Sequence, residues 1–395
     1  MLKRYIIIIT VFILVLCWVL FYFMNITINI KSESNEYSNI SDPTRKSSID
    51  SLTDGLSRTS KLEEPKEKLV KYKGLIEHIF FHPLIAYPQL AFDNDALSRG
   101  YNDYFITVSE FERIIDSLYR KNFILIRLED VYQERKINGK LILEKKDLFL
   151  PKGKKALVIS IDDLNYYPYM IENGNVSKLV LTSNGNISAY TKDKNGKESW
   201  SNDNEIIPIL NDFVKLHPDF SLNGARGVIC LTGYEGILGY HTQSGSPNRK
   251  SEIINAVKVV KKLKELGWSF GSHSYGHINV DKVSLQKLKE DTALWKNEVE
   301  PLVGSTHLYF YPFGSRVKYG SDKFNFLVKS GFKVISAVGP TSYTKIIDGA
   351  FTMDRRHMDG TALIQQPNSL RDLFDAGDVL DKVNRPLKYW NPTNR

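Results

Sequence analysis

Residues 156–164 read ALVISIDDL, a short apolar run that ends in two adjacent acids, Asp162 and Asp163. The run Ala156–Ile161 reads as a strand. Similar runs recur at Ile76–Phe81, Phe123–Ile126, Gly227–Leu231, Ser269–Gly271, Leu308–Tyr311, Lys333–Ser336 and Thr361–Ile364. Helical patterns fall between them, at Ser109–Arg120, Glu205–Leu216, Glu252–Leu266, Leu285–Val299, Asp322–Lys329 and Leu370–Val383. The Glu252 helix carries apolar residues at Ile253, Ile254, Val257, Val260 and Leu263 with lysines between, the mark of an amphipathic helix, and Leu266–Gly267 supplies its stop. Alternating strands and helices imply an α/β fold with a mostly parallel sheet, open or closed into a barrel. Lys178–Trp200 interrupts the alternation and reads as a β-hairpin insertion, with turns at Asn184–Gly185 and Asn195–Gly196.

Four polar clusters each follow an apolar run: His82 after IFF, Asp162 and Asp163 after ISI, His273 and His277 after WSFGS, and Pro312–Phe313–Gly314 after LYFY. Strand C-termini in parallel α/β folds converge on one rim, where sites form. Adjacent strand residues point to opposite sides, so the two acids can hold different tasks, one binding a cation and the other free as a base. A turn or helix N-cap pair is the plainer alternative for them. His273 and His277, four residues apart, can face one way on a helix or in a tight turn. With a carboxylate they make a ligand set for zinc or another borderline divalent ion; hydrogen-bonded loop histidines are the alternative.

The rest of the chain sets the context. Lys3 and Arg4 precede an apolar stretch from Tyr5 to Met24, and about twenty helical residues at ~1.5 Å each span a bilayer core of ~30 Å. Residues 1–24 therefore read as a transmembrane signal anchor, 25–73 as a polar extracellular linker, and 74–395 as the catalytic domain, outside a cell membrane crossed once. The formal charge of +8 suits an acidic partner such as a wall polymer or an anionic membrane. No compact basic stretch interleaved with aromatics points to nucleic acid. The two cysteines, Cys17 and Cys230, fall in an apolar run and a strand far apart, so the fold needs no disulfide.

SIDDL, HSYGH and FYPFG, in this order and spacing, resemble the motifs of the polysaccharide deacetylases (the NodB-homology group, carbohydrate esterase family 4), over roughly Ile76 to Leu380. EHIFFHPL resembles the opening strand of a circularly rearranged branch that includes the poly-N-acetylglucosamine deacetylases. The resemblance implies a distorted, incomplete (β/α) barrel, here preceded by the transmembrane helix. It also implies a hydrolase that removes N-acetyl groups from a polysaccharide such as peptidoglycan, poly-N-acetylglucosamine or a chitin-like chain. In that scheme Asp162 is the general base, and Asp163, His273 and His277 hold the divalent metal, zinc by first expectation. Pro312 and Phe313 form the substrate and oxyanion turn, with the Phe313 N–H as donor. His82 is the acid, and His78 is structural.

The chain also departs from the family pattern. Phe310 stands where the family usually has arginine, and ALIQQP, with Gln365 and Gln366, stands where it has Leu-x-His. FTMDRRHMDG resembles the fourth segment, so Arg355 or Arg356, with Asp354, would orient the base. Tyr166, Tyr167 and Tyr234 either stack on sugar faces or belong to the core. The alternative functions are an O-acetyl glycan esterase on the same site and a non-catalytic wall-polysaccharide-binding protein.

Overall fold

Nine strands share one sheet in the computed structural model, which describes residues 68–386, apart from 138 and 139, and residue 388. They are β1 (Glu77–Phe81), β2 (Phe123–Leu125), β3 (Lys155–Asp162), β4 (Val228–Leu231), β5 (Ser269–Ser272), β6 (Leu308–Phe310), β7 (Val334–Val338), β8 (Tyr343–Ile347) and β9 (Ala350–His357). Parallel pairing runs β4–β5–β6–β7–β9–β1–β3. Strand β3 then pairs back with β4, Ser160 facing Val228 and Asp162 facing Cys230. The result is a closed ring of seven parallel strands, where an incomplete barrel was expected. Its irregularity lies along one edge of β3, where the first half pairs with β2 and the second half with β4.

Five longer helices cover the ring: α1 (Val108–Arg120), α2 (Ile206–Leu216), α3 (Arg249–Glu265), α4 (Leu285–Glu298) and α5 (Asp322–Lys329). Their starts are encoded locally. Thr107 and Glu110 form a capping box on α1, and Ser284 and Ser321 cap α4 and α5. Helix α3 buries Ala256, Val259, Val260 and Leu263, so its inner stripe is turned from the expected one and leaves Ile254 and Val257 exposed. Residues on the outer side of the strands, such as Ile79, Phe81, Ile159 and Ile161, pack with the helices in the main core. Alternate residues turn into the barrel, where Val158, Val228, Leu308, Val334 and Phe351 form a second core with Leu143, Leu148 and Leu150.

Several expectations are corrected. Thr361–Ile364 is a π-helical turn, Thr361–Gln365, and the last barrel strand is β9. Leu370–Val383 holds only short helical turns, Pro367–Leu370 and Ala376–Val379. The insertion is a three-stranded antiparallel sheet of Lys178–Leu181, Ile187–Lys192 and Glu198–Ser201. Leu69–Lys71, within the expected linker, is a strand paired with Phe149–Pro151. The expected transmembrane helix, 1–24, and linker residues 25–67 lie outside the described residues. Among the described residues no helix is long and apolar enough to cross a membrane. The fold class is corrected to a seven-stranded parallel barrel with helices, and nothing in the described residues supports the transmembrane helix, the single-pass cell-membrane location or the membrane partner.

Candidate active site

Asp162 ends β3 with its side chain inside the barrel, only 2% exposed. Its partner comes from β9. Arg355 donates from both terminal nitrogens, Nη1 to Oδ1 at 2.6 Å and Nη2 to Oδ2 at 2.9 Å, and Nη1 also reaches Ser160 Oγ at 3.0 Å. The fork matches a carboxylate in plane and charge. The guanidinium lies over the rings of Phe80 (4.3 Å) and Phe310 (4.8 Å), so aromatic faces screen a buried cation. Gly271 makes room: a Cβ there would stand 2.4 Å from the Phe310 ring. Burial alone would raise the Asp162 pKa, but the Arg355 charge, with help from His273, holds it well below the usual carboxylate range. Below this pair, His78 Nε2 meets Ser160 Oγ at 3.0 Å, and burial beside the Arg355 charge keeps that imidazole neutral.

Asp163 turns the other way because its backbone leaves the strand in the left-handed region, with φ of 57°. Its Oδ1 accepts from the Tyr167 hydroxyl at 2.9 Å, and Tyr167 also meets Thr232 Oγ1 at 2.6 Å. Its Oδ2 lies 3.5 Å from His277 Nε2 and 4.0 Å from His273 Nε2. The two histidines reach it from a loop, not a helix. Ser274 and His277 have left-handed φ, and the N–H groups of Tyr275 and Gly276 donate to the Asp291 carboxylate, each at 2.8 Å.

One ligand atom from each of Asp163, His273 and His277 lies within 4.8 Å of the others. The donor set fits a divalent cation: one carboxylate, two imidazoles and open positions. His273 Nδ1 lies 3.0 Å from the carbonyl of Phe310. Donation there fixes the tautomer and leaves Nε2 free to bind a metal, as is usual for metal-bound histidine.

His82, just past β1, reaches the same cleft, with its ring between Phe80 and Phe105 (centroids 5.8 and 5.6 Å). The cleft holds about 500 Å³ and is lined by His82, Asp162, Asp163, His273, His277 and Phe313 among others. Phe313 is left-handed (φ 58°) and 67% exposed, and its ring meets His277 at 4.5 Å. Among the described residues no carbonyl or side chain accepts from its backbone N–H. Pro312 is buried behind it and starts the turn.

Arg356 is elsewhere. The next residue on β9 faces the opposite side, and Arg356 binds Glu77 at 2.8 Å and Asp372 at 2.9 Å. Asp354 pairs with Arg316, not with either of its neighbours on the strand. Tyr166 and Tyr167 are buried, whereas Tyr234 is 38% exposed.

Two features escaped the sequence reading. One is the tie from Tyr167 to Asp163, whose only signal is a tyrosine four residues past the acid. The other is His357, which lines the cleft with its Nδ1 2.7 Å from Asp359 and its Nε2 3.2 Å from Gln366 Oε1. Burial alone would lower the His357 pKa; the bond and charge of Asp359 outweigh it and raise the pKa. Its signal was the tail of the RRHMD segment.

No protein-family model matches the chain, and no curated protein matches it. Solved structures do. Its structural neighbours are polysaccharide deacetylases. The chain is similar to a polysaccharide deacetylase of Bacillus cereus (15% identity, 76% of this chain and 70% of that one, TM-score 0.42). It is also similar to the Streptococcus pyogenes deacetylase PplD in complex with acetate (14% identity, 75% of this chain and 98% of that one, TM-score 0.40). The chitin deacetylase of the fungus Colletotrichum lindemuthianum is more distant (11% identity, 44% and 76%, TM-score 0.24).

Proposed function

We propose that the chain is a metal-dependent hydrolase that removes N-acetyl groups from an N-acetylhexosamine polysaccharide and releases acetate. One observation carries the reading. A carboxylate locked in a bidentate pair, Asp162 on Arg355, shares a cleft with a one-acid, two-histidine ligand set and a separate histidine. Base, cation site and acid are thus distinct groups at one rim, which amide hydrolysis requires.

Asp163, His273 and His277 would hold the ion, zinc by first choice. When bound there, such an ion supplies a Lewis acid that acidifies water and polarises an acyl oxygen. Asp162, fixed by Arg355, accepts the proton of the attacking water. The water oxygen bonds to the acetyl carbon, and the Phe313 N–H stands free to donate to the oxyanion. The carbon–nitrogen bond then breaks as His82 gives a proton to the departing nitrogen, leaving acetate and a free amine. Without that proton an amide anion would have to leave. Peptidoglycan, poly-N-acetylglucosamine and chitin-like chains are the substrate classes, and the first strand of the circularly rearranged branch supplies the acid histidine.

Acetate release from these glycans, with and without chelator, tests the proposal. Release that chelator stops, and that Asp162→Asn and His82→Ala abolish, supports it. Brisk ester cleavage by His82→Ala would favour the O-acetyl esterase, because an alkoxide leaves without a strong acid. Unchanged sugar binding with no acetate release by the unaltered protein would favour the binding module.

A further inference from the structure

The three-stranded insertion forms one wall of a second cavity, of about 280 Å³, at the lower end of the size range of small-ligand sites (~300–1,000 Å³). Asn186 and Asn202 line it from the insertion and its exit, Asn211, Asp212 and Lys215 from α2, and Arg226 from the turn before β4. None of its lining residues belongs to the catalytic cleft. Strand β4 runs parallel to β3, so Arg226, ahead of its start, stands at the end of the barrel away from Asp162.

Arg226 is the group to explain. Its Nε donates to Asn211 Oδ1 at 3.3 Å, and its Nη1 to the carbonyls of Gly224 and Ala225, both at 3.2 Å. All three acceptors are neutral. Among the described residues no acid pairs with the guanidinium and nothing accepts from Nη2. Carbonyls satisfy N–H groups but leave the charge unbalanced, and a partly buried cation without a counter-charge is costly. Burial accordingly pulls the Arg226 pKa down, with no acid to pull it back. The amides carry the same polarity. Asn211 Oδ1 also accepts from Trp268 Nε1 at 3.0 Å. Tryptophan and arginine nitrogens only donate, so the Asn211 oxygen must face them, and its NH2 group is left over. Ser188 donates to Asn202 Oδ1, which leaves that NH2 group over as well. Lys215 is exposed and unpaired among the described residues. The cavity thus sets unclaimed donors and two cations against one acid, Asp212, which is exposed.

We propose that this cavity binds a phosphate-type oxyanion, held by Arg226, Lys215 and the side-chain NH2 groups of Asn211 and Asn202. A phosphate presents only acceptor oxygens to those donors and supplies the counter-charge that the guanidinium lacks. The phosphate is either the free ion or a phosphodiester within a polymer. The site needs nothing from the deacetylase reading, and it gives the insertion a task of its own.

Calorimetric titration of the full chain tests it, in chelator so that no metal in the catalytic cleft takes up phosphate. The probes are inorganic phosphate and a glycerol phosphate oligomer. Binding should weaken as sodium chloride is raised. Arg226→Gln keeps a donor but not the charge and should weaken binding about tenfold or more, the usual worth of a hydrogen bond to a charged group. Lys215→Ala removes one exposed charge and should weaken it about threefold, whereas Asp212→Asn should tighten it. Should Arg226→Gln fail to fold, the two exposed α2 variants carry the test. An oligomer that binds more tightly than inorganic phosphate assigns the site to a polymer, and the reverse order assigns it to the free ion. The proposal is overturned if neither probe binds at millimolar concentration, or if the variants bind like the unaltered chain. Acetate release by the metal-loaded protein separates the two proposals. Lys215→Ala should release acetate at the unaltered rate. Variant-sensitive phosphate binding without acetate release sinks the deacetylase alone, and acetate release without phosphate binding sinks the oxyanion site alone.

Discussion

Replacing Arg355 with methionine tests the centre of the site most directly. Arg355 is fully buried and supplies both bonds to Asp162, a third to Ser160 and two aromatic stacks. Methionine fills much of the volume but leaves the Asp162 carboxylate 2% exposed without its cation. Removing one partner of a buried pair costs ~3–5 kcal/mol, because the stranded charge keeps its desolvation penalty. At ~2–3 °C per kcal/mol for a domain of this size, that is a fall of roughly 6–15 °C in melting temperature. The measurement is thermal unfolding by circular dichroism in chelator, so that metal affinity does not enter. The double variant Asp162→Asn, Arg355→Met removes both charges and should recover part of the loss, giving a coupling of at least ~1–2 kcal/mol. Additive losses, or an Arg355→Met protein that melts like the original, would refute the claim that a paired charge holds this end of the barrel.

Three further outcomes follow from other contacts. Tyr167→Phe removes the donor to Asp163 Oδ1 and should weaken metal binding about tenfold or more, by the usual worth of a hydrogen bond behind a ligand; calorimetric zinc titration of the chelator-stripped chain reads it, and unchanged affinity would contradict it. Glu205, fully buried at the start of α2, has its pKa raised to about 8, mainly by burial, although the N–H groups of Ile206 and Leu84 pull the other way. The folded state therefore holds a proton that the unfolded chain loses above its ordinary carboxylate pKa, so stability is full at acid pH and declines as pH rises towards about 8. Glu205→Gln keeps the accepting oxygen without the charge, and its advantage in melting temperature should grow over that window and level off above it. Arg385 binds Glu110 twice and the carbonyls of Asn102 and Phe105, all buried, so it braces the wall that carries Phe105. Arg385→Ala should destabilise by ~3–5 kcal/mol, and a loss under ~1 kcal/mol in denaturant melts would show the brace to be idle.

Seven of the eight expected strands were legible because a barrel strand is buried on both faces and reads as a short apolar run. The same rule explains the two misreadings. TALI, 361–364, is apolar and short, but a four-residue run has no period by which to tell strand from helical turn. Strand β9, AFTMDRRH, was not named as a strand because its polar residues find partners only in three dimensions: Arg355 at Asp162, and Arg356 at Glu77 and Asp372. The site was legible for a related reason. His82 follows β1, Asp162 and Asp163 stand at the end of β3 and His273 follows β5, and parallel strands bring these ends to one rim. The choice between Arg355 and Arg356 was not legible, because alternation says that neighbours face opposite sides but not which side is inside. That depends on register, here Arg356 beside Ile79 and Ala337 beside Asp354.

The register also accounts for the departure at Phe310. An arginine at that place on β6 would enter the barrel two strands away from the position that Arg355 occupies on β9. Both positions point into the same interior, where the Arg355 guanidinium lies 4.8 Å from the Phe310 ring. Two guanidiniums there would face one acid, and the second would be a buried cation without a counter-charge, which costs several kcal/mol. Only one of the two places can hold an arginine. With Arg355 on β9, the place on β6 takes a residue that is large, uncharged and flat. Phe310 fills the volume, offers its face to the guanidinium and leaves its carbonyl to orient His273. Gly271 on β5 clears the space that the ring needs. A chain that merely lost the arginine, as a decayed binding module would, has no reason to keep those compensations together.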